Sequence, residues 1–479
     1  MCLSLLRVLA TTHTGSGTTA RATEPFLPNV KVCGREWLRG RVIPRRSQDA
    51  TVGRGECVDL IVRRAAVSGR DGLVDIAIRD GRIARIAPRV PETAPQEIDA
   101  AGGLVTPSLI ETHIHLDAVL TVGQPRYNQT GSLFEGIEIW GERIKSLTHD
   151  DVVRRANQAI KWMLACGVTH IRSHVDVCDP TLTALRALLE VRQAWRGTVE
   201  IQLVAFPQQG IYSFPDGEAL MVKALEMGAD VVGGIPHYEW TREYGERDVK
   251  TALRLAKEYD RQADLHCDET DDDQSRFLEL VAAETIRLGL QGRVTASHTT
   301  AMHSYNNAYA YRLIRWMRQA GVHIITNPLD NAVLQGRFDA YPIRRGFTRV
   351  KELLAAGINV AVGHDSIMDP WYPLGIGDPL QACFVMAHYG HMSGYDEIKT
   401  LLEMVTTRAA ACVGVADYGL AEGRAAHLLV FDAPTPFDVV RRMAARTAVI
   451  SHGRLVARTT PARSEVLTGG PPELVTFQR

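Results

Sequence analysis

Two patterns of apolar and polar positions divide the chain. Between Cys57 and Pro107, and again after Gly419, short stretches alternate apolar with polar residues and break at Gly and Asp-Gly turns. "VDLIVRRAAV", "VDIAIRDGRIARIA" and "QEIDAAGGLVTP" lie at one end, "AAHLLVFDA" and "TAVISHGRLVA" at the other. Alternation at period two predicts half-buried strands joined by tight turns. The two β-rich ends, residues 57–106 and 419–479, are expected to pair as one small β-sandwich, since chain ends often lie close together.

Residues 107–418 follow another rhythm. Eight short apolar runs recur: "LVTPSLIETHIHLD", "VTHIRSHVDV", "VEIQLVAFPQ", "DVVGGIPH", "ADLHCDE", "RVTASHT", "VHIITNPL" and "NVAVGHD". Stretches with apolar residues at three- and four-residue spacing separate them, among them Leu182–Ala194, Gly217–Met227, Val249–Tyr259 and Ser275–Leu288. That spacing predicts helices. Eight strand–helix units predict an α/β fold, a TIM (β/α)8 barrel, rather than an open sheet. Such a barrel carries its active site at the C-terminal ends of the strands. Five of the eight runs end in His, Gln, Glu or Asp, where a buried parallel strand would otherwise be apolar.

Composition narrows the class. The chain has 479 residues, 45% hydrophobic and 23% charged, with a net charge of −1. The balanced charge gives no support to a nucleic-acid or membrane-surface partner. No apolar run approaches the roughly 20 residues of a membrane span. The eight cysteines form no C-x-x-C pair and read as thiols of a reducing compartment, so a cytoplasmic location is expected. Residues 1–56 are set apart. Their Arg, Thr, Ser and Gly content faintly suggests a transit peptide, but a disordered tail or an upstream translation start is the expectation.

The candidate chemistry sits at the run ends. His113 and His115 form H-x-H, and residues i and i+2 of a strand face the same side. Two imidazoles there can share a divalent ion, although H-x-H alone is a weak signal, open to turn or surface histidines. His266 ends the fifth run as a third imidazole. Glu269 follows it, able to serve as general acid and base, or simply to cap the next helix. Asp268 and Asp271 to Asp273 read as solvated charge at that helix start. His298 ends the sixth run and Asp365 the eighth, where a buried carboxylate is costly unless paired or bound to metal. Together these residues form one coherent metal-hydrolase set.

The set resembles the amidohydrolase superfamily. More closely, the chain resembles bacterial cytosine deaminase over nearly its whole length after residue 56. Long stretches carry the likeness, including "ETHIHLDAVLTVGQPRYNQTGSLFEGIE", "ADVVGGIPHYEWTREYG", "LHCDETDDDQSRF", "RVTASHTTAMHSYN", "LQGRFDAYPIRRGFTRVKELL" and "GHDSIMDPWYPLG". The resemblance implies that His113, His115, His266 and Asp365 bind one divalent metal ion, iron(II) or zinc. It implies that His298 holds the attacking water and that Glu269 passes a proton to the ring nitrogen beside the amino-bearing carbon. Gln208 would read the ring carbonyl and the adjacent N–H. Trp371, Leu133 and Phe206 would wall the pocket. A small-molecule pyrimidine is then the expected partner, and a homo-oligomer the expected assembly. The fourth run has no lysine to bridge two metals, which resembles the one-metal branch, and leaves His237 a structural or pocket-lining role.

One position departs from the family pattern. Cytosine deaminases have two aspartates in a row at the end of strand eight, the second beside the substrate. Here Asp365 precedes Ser366. A roomier and less acidic pocket edge is expected, suited to a 5-substituted cytosine, unless Ser366 changes little. Rival readings are an amidohydrolase of another cyclic amidine (isocytosine, isoguanine, a creatinine-like ring or an amino-triazine) and a metal-free binding protein. The H-x-E and P-C-x-x-C signature of nucleotide-type deaminases is absent.

Overall fold

The computed structural model describes residues 57–477, so the expected tail, residues 1–56, lies outside the described residues. Strands β1 (Leu60–Ala65), β2 (Val74–Arg79), β3 (Arg82–Ala87) and β4 (Gln96–Asp99) open the chain, followed by β5 (Val105–Pro107). Eight strands then alternate with helices: β6 (Leu109–Ile114), β7 (Val168–Asp176), β8 (Glu200–Phe206), β9 (Val231–Gly234), β10 (Gln262–Cys267), β11 (Val294–His298), β12 (His323–Thr326) and β13 (Val360–Val362). The helices between them include α1 (Leu133–Arg143), α2 (His149–Ala165), α3 (Thr183–Trp195), α4 (Gly217–Met227), α5 (Arg242–Glu258), α6 (Phe277–Leu288), α7 (Asn307–Ala320), α8 (Pro328–Leu334) and α9 (Val350–Ala355). Further helices and the strands β14 (Leu428–Phe431), β15 (Arg446–Ser451) and β16 (Arg454–Arg458) complete the fold before a short C-terminal hairpin.

The eight strands β6 to β13 lie parallel and in chain order. Their ends meet: Ile114 and Asp365 form a parallel bridge, and the Asp365 N–H donates to the His113 carbonyl at 2.8 Å. This is a TIM barrel. Every residue of β7 is buried, as a strand covered by barrel filling inside and helices outside must be. Local chemistry sets the helix ends. Thr148 accepts from the Asp151 N–H at the start of α2, with Asp150 and Asp151 in the first turn against the positive end of the helix dipole.

Two four-stranded sheets flank the barrel, ordered β3-β2-β1-β4 and β16-β15-β14-β5. They share one apolar core, with Leu60, Ile76 and Ile78 from the first and Val105, Leu428, Val430 and Ile450 from the second. The run "LVTPSLIETHIHLD" is therefore two strands. Val105–Pro107 pairs with β14, and the barrel ladder begins at Leu109. Pro107 has no N–H to continue a ladder, so the chain changes sheets there. Helix α5 also begins earlier than its apolar spacing suggests, because Thr241 caps it by accepting from the Tyr244 N–H. Among the described residues no helix is long and apolar enough to cross a membrane.

Candidate active site

Histidines from β6, β10 and β11 meet Asp365, just past β13, at the C-terminal mouth of the barrel. His113 Nε2 lies 3.2 Å from His266 Nε2, and His115 Nε2 also lies 3.2 Å from it. Asp365 Oδ1 is 3.6 Å from His113 Nε2 and 3.5 Å from His115 Nε2. Ligands about 2.1 Å from a tetrahedral ion stand about 3.4 Å apart. The three imidazole nitrogens fit one divalent cation, and Asp365 Oδ1 stands at a ligand-to-ligand distance from two of them. Burial, followed by the neighbouring histidines, holds His113, His115 and His266 well below the usual imidazole range. They are neutral, with lone pairs free to bind a metal.

The layer beneath fixes the ligand orientation. His113 Nδ1 is 2.9 Å from Ser297 Oγ, and Ser297 Oγ donates to Asp264 Oδ1 at 2.7 Å. Arg172 Nη1 donates to the other Asp264 oxygen at 3.0 Å, inside the barrel. With Nε2 turned to the metal, His113 Nδ1–H donates to the serine, and the chain of bonds holds the ring. His174, buried with neither ring nitrogen hydrogen-bonded, packs 4.0 Å from the His113 ring. Phe206 stacks on His266 at 4.0 Å and stands one layer behind the cavity, supporting a ligand instead of walling the pocket.

Glu269 and His298 face each other across the mouth, Oε1 to Nδ1 at 3.2 Å. Burial, then the charge of Asp330, pushes the Glu269 carboxyl well above the usual range. Burial likewise raises Asp365, with Glu269 next among the causes. Glu269, keeping its proton toward neutral pH, is thereby an acid ready to deliver it. His298 and Asp365 both hold φ values in the left-handed region, 68° and 74°. Side chains other than glycine take that conformation at a cost, which is common where a site demands a particular direction.

A small cavity opens above these groups. Its lining joins His115, His266, Glu269, His298 and Asp365 to Leu133, Gln208, Ser366 and Trp371, and also to Asp330 and Leu334. Gln208 is almost fully buried on the loop after β8. That loop is shaped by Glu239, which accepts from the N–H groups of Ile211, Tyr212 and Ser213 at 2.7, 2.9 and 2.8 Å. Trp371 lies between α1 and His115, with its backbone N–H bound to Asp369 Oδ1 at 3.0 Å. His237 is buried and pushed down to about 4 by desolvation; it is not part of the lining. Asp268 does cap α6, accepting from the Phe277 and Leu278 N–H groups at 3.0 and 2.9 Å, but it is fully buried and not solvated.

Sequence reasoning missed the contribution of the segment after β12. Asn331 Nδ2 lies 3.1 Å from His298 Nδ1, and Asn327 Nδ2 lies 3.2 Å from His298 Nε2. Asp330 accepts from Ser366 Oγ at 2.8 Å. The pocket edge at Ser366 therefore also holds a carboxyl, supplied by α8. The available signal was the polar trio Asn327, Asp330 and Asn331, at i, i+3 and i+4, directly after an apolar strand.

A model of the amidohydrolase family matches residues 96–457. The structure is similar to that of 5-methylcytosine deaminase from Klebsiella pneumoniae liganded with 5-fluorocytosine, with a TM-score of 0.82 and 47% identity over 84% of this chain and 98% of that one. The sequence is 29% identical to N-isopropylammelide isopropyl amidohydrolase of Pseudomonas sp. over 84% of this chain and 97% of that protein. It is 30% identical to pterin deaminase of Rhizobium rhizogenes over 82% of this chain and 90% of that protein.

Proposed function

The chain belongs to the amidohydrolase family, a hydrolase of C–N bonds in cyclic amidines, and from that premise we propose that it deaminates cytosine or a 5-substituted cytosine to the corresponding uracil and ammonia. One observation carries the reading: a single small cavity is lined at once by three of the metal-fitting residues, His115, His266 and Asp365, by Glu269 and by Gln208. The 47% identity to a 5-methylcytosine deaminase favours the pyrimidine ring over the rings of the relatives at 29% and 30%.

His113, His115, His266 and Asp365 would hold iron(II) or zinc, which supplies a water of lowered pKa at neutral pH. Gln208 presents an amide donor and acceptor to the ring carbonyl and the adjacent N–H. Glu269 gives its proton to the next ring nitrogen, which makes the amino-bearing carbon more electrophilic. His298 would steady the attacking oxygen, and Asp365, whose Oδ2 lies 3.7 Å from His298 Nε2, would take the water's proton and pass it to the amine as the C–N bond breaks and ammonia leaves, while the proton left on the new carbonyl oxygen returns to Glu269. Leu133 and Trp371 close the apolar faces of the ring.

Ammonia release from cytosine, 5-methylcytosine, N-isopropylammelide and pterin tests the reading. We expect kcat/KM of about 10⁴ M⁻¹s⁻¹ or better for cytosine or 5-methylcytosine. Turnover confined to the other two rings would contradict it. The wall offers a second prediction. A Cβ at Gly136 would stand 2.4 Å from Trp371 Cδ1 and 2.5 Å from Nε1. Overpacking of this kind costs about 1–3 kcal/mol. Gly136→Ala is therefore expected to push Trp371 into the cavity and raise KM about tenfold; an unchanged KM would remove Trp371 from the pocket wall.

A further inference from the structure

None of the residues lining the cavity is more than 8% exposed, so the position of its walls decides what fits. Leu133 opens α1, and Trp371 stands on the loop after β13. Two backbone bonds tie the chain ahead of α1 to that loop. The Leu120 N–H donates to the Ile367 carbonyl and the Val122 N–H to the Met368 carbonyl, both at 2.8 Å. Nearer the two wall residues the tie is a side chain. Asn128 Nδ2 donates to the carbonyl of Ser132, directly before Leu133, and to the carbonyl of Pro370, directly before Trp371, each at 3.0 Å. Asn128 Oδ1 accepts from the Gly131 N–H at 2.8 Å. A side-chain amide has two donor hydrogens and one acceptor oxygen, and all three are engaged here. Turned over, it would set its oxygen against two carbonyls and its own N–H against another.

The turn that carries Asn128 is itself held. Glu135 Oε2 accepts from the backbone N–H groups of Gln129 and Thr130 at 3.0 and 2.7 Å, and Glu135 Oε1 accepts from Arg126 Nη1 at 2.7 Å. On the other side, the Trp371 ring presses on α1, where a Cβ at Gly136 would stand 2.4 Å from it. We propose that Asn128 is a positioning residue for substrate binding, whose side-chain amide joins the start of α1 to the Trp371 loop and so sets how far apart Leu133 and Trp371 stand around the ring. The proposal rests on the reading of Leu133 and Trp371 as the walls on the faces of the ring. The hydrogen bonds of Asn128 reach neither the metal-fitting residues nor Glu269, so its loss should loosen the hold on the ring and spare the chemistry.

The test measures kcat and KM separately in the full-length, metal-loaded protein, with whichever of the four rings named above is turned over best. Asn128→Ala is expected to raise KM about tenfold, for two lost hydrogen bonds, with kcat within threefold of wild type. Asn128→Asp keeps the acceptor for the Gly131 N–H but offers no N–H to Ser132 or Pro370, and is expected to raise KM as much. In a Trp371→Leu background, Asn128→Ala should raise KM less than threefold, because the amide acts through Trp371. Should Asn128→Ala not melt cooperatively, Asn128→Asp carries the same comparisons. An Asp variant with wild-type KM would show that the amide only shapes its turn, and the proposal falls. It falls equally if KM is unchanged while kcat and melting temperature drop, or if the two substitutions act independently. Turnover confined to N-isopropylammelide or pterin would end the cytosine reading and still decide on Asn128. If none of the four rings is turned over, both fall.

Discussion

Glu269→Gln is expected to lower kcat by about 10² to 10⁴-fold while metal content and melting temperature stay near those of the wild type. The carboxyl is buried beside His298 and carries no structural hydrogen bond that glutamine would break more than slightly. Glutamine keeps the shape but cannot pass a proton. The loss corresponds to about 3–5 kcal/mol of transition-state stabilisation. The pH profile supplies an independent readout. Burial raises the Glu269 carboxyl, so its protonated form persists above the usual carboxylate range, and the rate falls as pH rises through that value. The Gln variant should lose this alkaline limb. A variant within threefold of wild type, with the limb intact, would show that the proton comes from elsewhere.

Removal of the metal carries the second large effect. His266 lies 3.2 Å from both His113 and His115, and Asp365 lies 3.5–3.6 Å from the same two rings, with the imidazoles held neutral. Nothing else in the cavity can make a strong nucleophile of water at pH 7, since lowering its pKa by about 9 units is a task for a cation. Chelation is expected to cut ammonia release by about 10³-fold or more, and a divalent ion to restore it. His266→Ala should show the same loss without rescue, since two ligating imidazoles would remain. Activity that survives in dialysed, metal-free protein, verified by elemental analysis, would refute the assignment.

The barrel was legible because its physics is periodic. Buried parallel strands such as β7 read as apolar runs, and helices such as α4 keep their apolar residues at helical spacing, so Gly217–Met227 emerged with the bounds it has. The site was legible for the converse reason. His113, His115, His266, His298 and Asp365 are polar residues where an apolar strand should end, and the structure brings them together with Glu269. Two things were not legible. The switch of sheets at Pro107 lies inside one continuous apolar run, and only pairing distinguishes the two halves. Asp330 was hidden because β12 is followed by Asn-Pro, which reads as a turn, and because its partner Ser366 is more than 30 residues away. The hydrogen bond from Ser366 to the Asp330 carboxyl is visible only in three dimensions.

The most direct measurement is a metal titration. Metal-free protein is loaded with zinc or iron(II) in steps while ammonia release from 5-methylcytosine is followed. Activity is predicted to rise linearly from near zero and break at one equivalent per chain, with thymine as the other product. A break at two equivalents, or ammonia release before any metal is added, would contradict a one-metal cytosine hydrolase.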